Sequence, residues 1–312
     1  MLVIVRGGMT VCPLSGGFGM RLLRYLLVSC SAAAMAGAVT FTGVTAASVA
    51  APARSHAVPS ARFLAEARAV LAGYLRHNHP QAMLVHPGRV LGAAGTTTAI
   101  GTTNWSGYAD VSQTSQEFTR VSGSWTTPSV TCTAEDQVSS DWVGFDGLTN
   151  MSVEQLGTIS WCYEGKPLYI TWYEMSPNPA VQVAATLKAG DKITASVTRT
   201  GTSYTLKLTD ATNTVNSFTK TLTCALTTCT DTSAEWISER PGFKIGVAPL
   251  AHYKAFKITN GTETAGGKSG TIGSFATNDA ITMLDATSAY DLATVSTLTG
   301  GNSFSTTWKN SY

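Results

Sequence analysis

The chain is short of histidine: its 312 residues hold five, and four of them (His56, His77, His79 and His86) precede residue 100. A serine-hydrolase triad in the remainder would therefore have His252 alone as its base, and no Gly-x-Ser-x-Gly elbow accompanies it there. Set in Leu250-Ala251-His252-Tyr253 beside a strand, His252 reads as a hydrogen-bonded structural side chain. Cysteine is scarce too, with six residues and no CxxC, which leaves a zinc site little support. Charged residues make up 13% and are divided unevenly. Residues 1–100 carry eight Arg, no Lys and one acid (Glu66), a formal +7, whereas 101–312 carry 13 bases and 18 acids, a formal −5. An acidic body lacks the basic patch that nucleic-acid binding needs. Gly266-Gly267-Lys268-Ser269 lacks the earlier glycine of a P-loop, since Thr262 stands in its place, and reads as a surface turn.

What the N-terminal third does have is an export pattern. Arg21 and Arg24 precede an apolar, Ala-rich run from Leu26 to about Val49, followed by small residues at 47–53. Residues 1–53 are expected to be a signal peptide, with Met20 an alternative start. Leu27-Val28-Ser29-Cys30 resembles a lipobox, but the apolar run continues well past Cys30, and no stable membrane anchor is expected. A secreted, extracellular body is the expectation. Residues 54–100 form a basic prosegment and linker. Ser60 as N-cap, with Phe63, Ala67, Val70, Leu71, Tyr74 and Leu75 at helical spacing, predicts an amphipathic helix over 60–76, and 91–103 read as a Gly/Ala/Thr linker.

From Asn104 helical periodicity nearly vanishes. Short runs rich in Thr, Val, Tyr and Trp alternate with Gly, Asn, Asp and Pro turns, giving a dozen or more strands in residues 101–312. That pattern predicts one large antiparallel sandwich with a single core. Cys132, Cys162, Cys224 and Cys229 belong to this body. Four cysteines allow three pairings; the short spacing favours Cys224–Cys229 and, by elimination, Cys132–Cys162.

With imidazole and thiol chemistry set aside, acids and amides remain. Glu235 and Glu239 lie four apart on one strand, roughly 13 Å, too far for a glycosidase pair that needs about 5–9.5 Å. Each needs a partner from another strand, and Gln155, Glu174 and Asp146 are the candidates. Five ordered blocks carry a resemblance: Asn104-Trp105-Ser106-Gly107-Tyr108, Trp142-Val143-Gly144-Phe145-Asp146-Gly147, Gln155 with Gly157, Trp172-Tyr173-Glu174, and Ala234-Glu235-Trp236-Ile237-Ser238-Glu239. Over residues 104–312 the chain resembles the glutamic peptidases, or eqolisins.

The resemblance implies a concanavalin A-like β-sandwich of two curved antiparallel sheets and an acid endopeptidase that uses no metal or other cofactor. Its catalytic pair maps onto Gln155 and Glu239. Trp105, Trp142, Asp146, Tyr173, Glu174 and Trp236 become candidates for supporting or lining the cleft. Protein or peptide substrates are expected with it, while the charge split itself suggests that the basic prosegment, through Arg62, Arg68, Arg76 and Arg89, is held on the acidic body as an inhibitor near neutral pH, and a monomer is the default. Two departures stand out: the segment 148–151 lacks the cysteine found there in fungal members, and Arg240 follows Glu239 where an acid is common. As a strand neighbour, Arg240 is expected to face away; a contact would lower the Glu239 pKa. The competing readings are a glycoside hydrolase using Glu174 and Glu239, and a non-catalytic, lectin-like carbohydrate-binding module.

Overall fold

The computed structural model describes residues 61–77, 85–94 and 97–312, apart from 116, 135, 149, 151, 176, 177, 184, 185, 225–228, 244, 245, 275 and 276. The expected signal segment, His56 and His79 lie outside these residues. Helix α1 (Ala61–His77) stands within a residue of its expected bounds. The strands follow as β1 (Val85–Ala94), β2 (Thr97–Thr102), β3 (Trp105–Val111), β4 (Phe118–Thr126), β5 (Val130–Thr131), β6 (Val138–Phe145) and β7 (Glu154–Tyr163). Next come β8 (Lys166–Met175), β9 (Val181–Val183), β10 (Lys192–Thr200), β11 (Ser203–Asp210), β12 (Phe218–Thr223), β13 (Ser233–Glu239), β14 (Gly242–Phe243) and β15 (Gly246–Val247). The last are β16 (His252–Tyr253), β17 (Phe256–Ala265), β18 (Lys268–Thr271), β19 (Thr277–Leu284), β20 (Asp291–Val295) and β21 (Phe304–Trp308). Among the described residues no helix is long and apolar enough to cross a membrane.

Two sheets form the expected sandwich. The first runs β1-β2-β19-β3-β13-β6-β7-β8-β9, and the second β18-β17-β4-β10-β11-β12. Pairing is antiparallel except where β2 runs parallel to β19. Residues expected to be a linker thus form strands β1 and β2, because the run Thr97–Thr102 adds its backbone donors and acceptors to an edge that β19 would otherwise leave open. Strand alternation sends Trp236, Val143 and Leu156 inward to meet Val121, Trp125 and Leu206 of the second sheet, all buried. Trp236 donates its indole N–H to the Ser122 carbonyl at 2.8 Å, and a Cβ at Gly123 would press on the same ring. Disulfides Cys132–Cys162 and Cys224–Cys229 form as the spacing suggested.

The inner faces also carry acid. Asp110 on β3 accepts from Asn278 Nδ2 at 2.5 Å and from the Gly273 N–H at 2.9 Å, and its charge acts on the buried carboxyl of Glu263 on β17. Burial, then the Asp110 charge, pushes the Glu263 carboxyl up to about 10 from an ordinary 4.5. The folded state therefore binds this proton more tightly than the unfolded chain does. Its stabilisation is complete below about pH 4.5 and is lost as pH rises towards 10. Glu263→Gln should flatten the fall of Tm between pH 5 and 8, measured by circular dichroism; an unchanged slope would refute this role.

Candidate active site

The face of the first sheet turned away from the second sheet brings the expected dyad together. Gln155 on β7 pairs with Gly144 on β6 and Glu174 on β8, and Gly144 pairs in turn with Glu235 on β13. Directly opposed residues share a face, so Glu235, Gly144, Gln155 and Glu174 form one row. Glu239 lies four residues along β13 from Glu235, hence on the same face, between Trp105 and Ser140. A single row, Ile237–Trp142–Gly157–Trp172, separates Glu239 from Gln155. Glycine is required in both rows: a Cβ at Gly157 would lie 2.1 Å from the Asp141 carbonyl oxygen, and one at Gly144 would lie 2.8 Å from Gln155 Cβ.

Both side chains are held. Trp142 Nε1 donates to Glu239 Oε2 at 2.8 Å, and Gln155 Nε2 donates to Glu174 Oε2 at 2.7 Å. Glu239 Oε1 and Gln155 Oε1 are buried without a hydrogen-bond partner among the described residues. Trp105 packs edge-on against Trp142 with ring centroids 4.9 Å apart, and Gly147 at φ 94° lets the β6–β7 loop rest on the far edge of the Trp105 ring. Gln155 and Glu239 are each only 1% exposed. That burial raises the Glu239 carboxyl to about 8, against the pull of the Trp142 hydrogen bond and with a smaller push from Glu174. Arg240 plays no part in this, as its guanidinium turns to the carbonyls of Ala248 and Val247.

Other expected site residues lie elsewhere. Trp236 and Tyr173 face away from this row: Trp236 is a core residue, and Tyr173 packs on Phe218 with Lys220 over its ring. The physical reason is alternation, since each directly adjoins a residue of the site face, Glu235 and Glu174 respectively. His252 stacks on Trp308 at 3.8 Å, a structural contact. Glu235, used in the sequence only to rule out a pair with Glu239, sits in the Gln155 row with its carboxyl raised by burial well above the usual range.

Asp146 is a tether at the end of β6. Its carboxylate accepts from the backbone N–H groups of Thr230, Asp231 and Thr232, the hydroxyls of Thr230 and Thr232, and Asn150 Nδ2. These bonds hold the segment that leads into β13. Asp146, Glu154 and Asp231 offer oxygens within 4.8 Å of one another, a spacing that could hold a cation. Six donors already occupy Asp146, while Asp231 takes the Tyr204 hydroxyl and the Arg199 guanidinium, so the arrangement fits a protein-satisfied knot better than a metal centre. Asp146→Ala should cost about 3 kcal/mol or more, as buried donors lose their acceptor. Urea unfolding measures it, and a loss below about 1 kcal/mol would contradict the tether.

With this geometry in place, comparison with known proteins is informative. Residues 103–308 match the Peptidase A4 family. Scytalido-glutamic peptidase, solved with a peptide-based transition-state analogue, aligns with TM-score 0.57 and 24% identity over 66% of this chain and 98% of its own. The eqolisin SCP-B, solved with the tripeptide Ala-Ile-His, aligns with TM-score 0.53 and 23% identity over the same shares. At these identities the two establish a common fold. No curated protein sequence gives a match. On the family match, which spans nearly all of the sandwich, the chain belongs to the Peptidase A4 family of glutamic peptidases.

Proposed function

We propose that the chain is a secreted acid endopeptidase in which Glu239 and Gln155 activate water for attack on a peptide carbonyl. Glu239, once ionised, takes a proton from the water and later delivers it to the leaving nitrogen. Gln155 keeps one Nε2 hydrogen on Glu174, which leaves the other for the developing oxyanion and Oε1 to orient the water. The observation that carries this reading is the shared face of the two groups, each fixed by one hydrogen bond and each with an oxygen left over. The glycosidase alternative fares worse, because Glu174 is committed to the glutamine. The peptide ligands of the structural neighbours support protein or peptide substrates for this chain too.

Burial that raises the Glu239 carboxyl to about 8 favours its protonated form in acid, which suits a form held back until maturation. Water reaching the site on maturation would bring the carboxyl back towards the ordinary value near 4.3, where both of its states are accessible. Residues 54–100 fit the part of an inhibitory prosegment. Phe63 of α1 packs on Tyr163 at 5.7 Å, with Lys166 Nζ 4.3 Å from the Phe63 ring centroid, and Ala67 is buried. Tyr163 and Lys166 close the β7–β8 hairpin, and alternation puts both on the face that carries Gln155. The sequence suggested a basic segment held by an acidic body, yet at this contact the cation belongs to the body; Arg62 is exposed. The leader and the two disulfides suit export.

Gln155→Ala should fold normally and lose about 10²–10³ in kcat, and Glu239→Gln should show no turnover. Digestion of denatured protein at pH 3–4, with pepstatin present, measures both. Wild-type rates in either variant would sink the dyad. Phe63→Ala, which removes the ring from between Tyr163 and Lys166, should mature faster at pH 4 on a gel time course. Unchanged maturation would release α1 from the inhibitory role.

A further inference from the structure

The formal −5 of residues 101–312 does not describe their surface. Of the 18 acids there, twelve are buried. Among the described residues the exposed acids are Asp136, Glu164 and Asp291, against ten exposed Lys and Arg. Three of those cations, Arg120, Lys192 and Lys207, share the outer face of the second sheet, across the sandwich from the row that holds Gln155. Alternation turns Val121, Val197 and Leu206 into the core there, so their strand neighbours point out.

Register gives the face row by row. One row runs Ser269–Thr264–Arg120–Thr198–Thr205–Thr221 across β18, β17, β4, β10, β11 and β12. The next holds Lys207 between Ser196 and Thr219, and Lys192 stands opposite Thr126 farther along β10. Every paired outward position on these six strands is Ser, Thr, Lys or Arg; none is acidic and none is apolar. The hydroxyls bond to one another, Ser122 Oγ to Thr262 Oγ1 at 2.8 Å, Ser124 Oγ to Thr194 Oγ1 at 2.9 Å and Thr264 Oγ1 to Ser269 Oγ at 2.8 Å. Each such pair spends one of its two protons on itself and keeps the other for a partner outside. Arg120 Nη1 donates to Thr198 Oγ1 at 3.0 Å, which spends one donor of its guanidinium.

A face that had only to be soluble would intersperse both signs of charge, and this one carries a single sign. At strand spacings Lys207 stands roughly 12 Å from Arg120 and roughly 14 Å from Lys192. Charge this thin does not suit duplex DNA, with a phosphate about every 1.7 Å of axis, and the face has no aromatic ring for a base to stack on. Nor does it suit a lipid surface, which recruits clusters of about 4–8 cations. A sugar chain with acid groups set apart by hydroxyls matches both the sparse cations and the hydroxyls between them. We propose that the outer face of the second sheet is a docking surface for a linear acidic polysaccharide of the uronic acid type, its carboxylates meeting Arg120, Lys192 and Lys207 and its ring hydroxyls pairing with the Ser/Thr array. Docked in this way, the protein sits on the polymer with the Gln155 and Glu239 face turned away and open. The docking is independent of the dyad.

The test is binding of the full chain to immobilised polygalacturonate at pH 5 and low salt. Residues 1–100 are themselves basic, so the readout is the difference between variants. The triple variant Arg120→Ser, Lys192→Ser, Lys207→Thr should raise Kd about tenfold or more, as three exposed charge contacts are lost together. A control with the same loss of charge, Lys220→Ser, Lys254→Ser, Lys309→Ser, should stay within about twofold of wild type. Fully methyl-esterified polymer keeps its hydroxyls and loses its charge, and it should bind far more weakly than polygalacturonate. Tm and peptide digestion at pH 4 should be the same in both variants as in wild type. No binding by the wild type, or equal weakening in the two triple variants, would overturn the proposal. So would duplex DNA or phosphatidylserine vesicles displacing the wild type from the polymer as readily as soluble polygalacturonate does, a readout that needs no variant.

Discussion

Carboxyl groups enclosed between and upon β-sheets, with few cations to answer them, govern this molecule. Asp110, Asp141, Glu154, Glu235, Glu239 and Glu263 are all buried and all shifted upwards, chiefly by loss of water. A buried carboxylate without a cation is expensive, whereas the protonated acid is a modest polar group that needs one acceptor and one donor. The fold can therefore keep these residues inside as long as protons are plentiful. Acid is the condition under which the interior is consistent with itself, and the composition already leans that way, with 18 acids against 13 bases in residues 101–312.

The same physics ties the fold to its chemistry. Central strands β6, β7 and β13 are buried on both faces, so the outer face excludes water almost as well as the inner one. Glycines at 144 and 157 allow close approach of neighbouring strands, and the space above them is left to Gln155, Trp142 and Glu239. A hydrogen bond to a carboxyl in such a place is stronger than in water, and a carboxyl waiting there holds its proton.

Particular elements show what could be read in advance and what could not. The helix at 61–77, the disulfides and the placement of Gln155 and Glu239 on strands followed from local rules: period, spacing and residue type. Strand β7 was harder to delimit. Glu-Gln-Leu-Gly-Thr-Ile-Ser-Trp has no clean alternation of polar and apolar residues, because both of its faces are buried and a glycine interrupts it. Residues 91–103 looked like a linker because Gly, Ala and Thr form poor isolated strands, yet 97–102 are a strand here because β19 offers an open edge, and 91–94 belong to the strand that pairs with it. The resemblance made Tyr173 and Trp236 candidates for supporting or lining the cleft, yet a strand sends adjacent side chains in opposite directions.

The sequence by itself determined the architecture and the chemical vocabulary: an all-β body, a shortage of imidazole, and ordered blocks carrying a glutamine and a glutamate. Those properties are local, set by the periodicity of each segment and the functional group on each residue. The tertiary structure decided which acids share a row, which lie inside the sandwich, as with Asp141, and which are tethers, as with Asp146. Register and desolvation are properties of strands distant in sequence brought together, and no single segment encodes them.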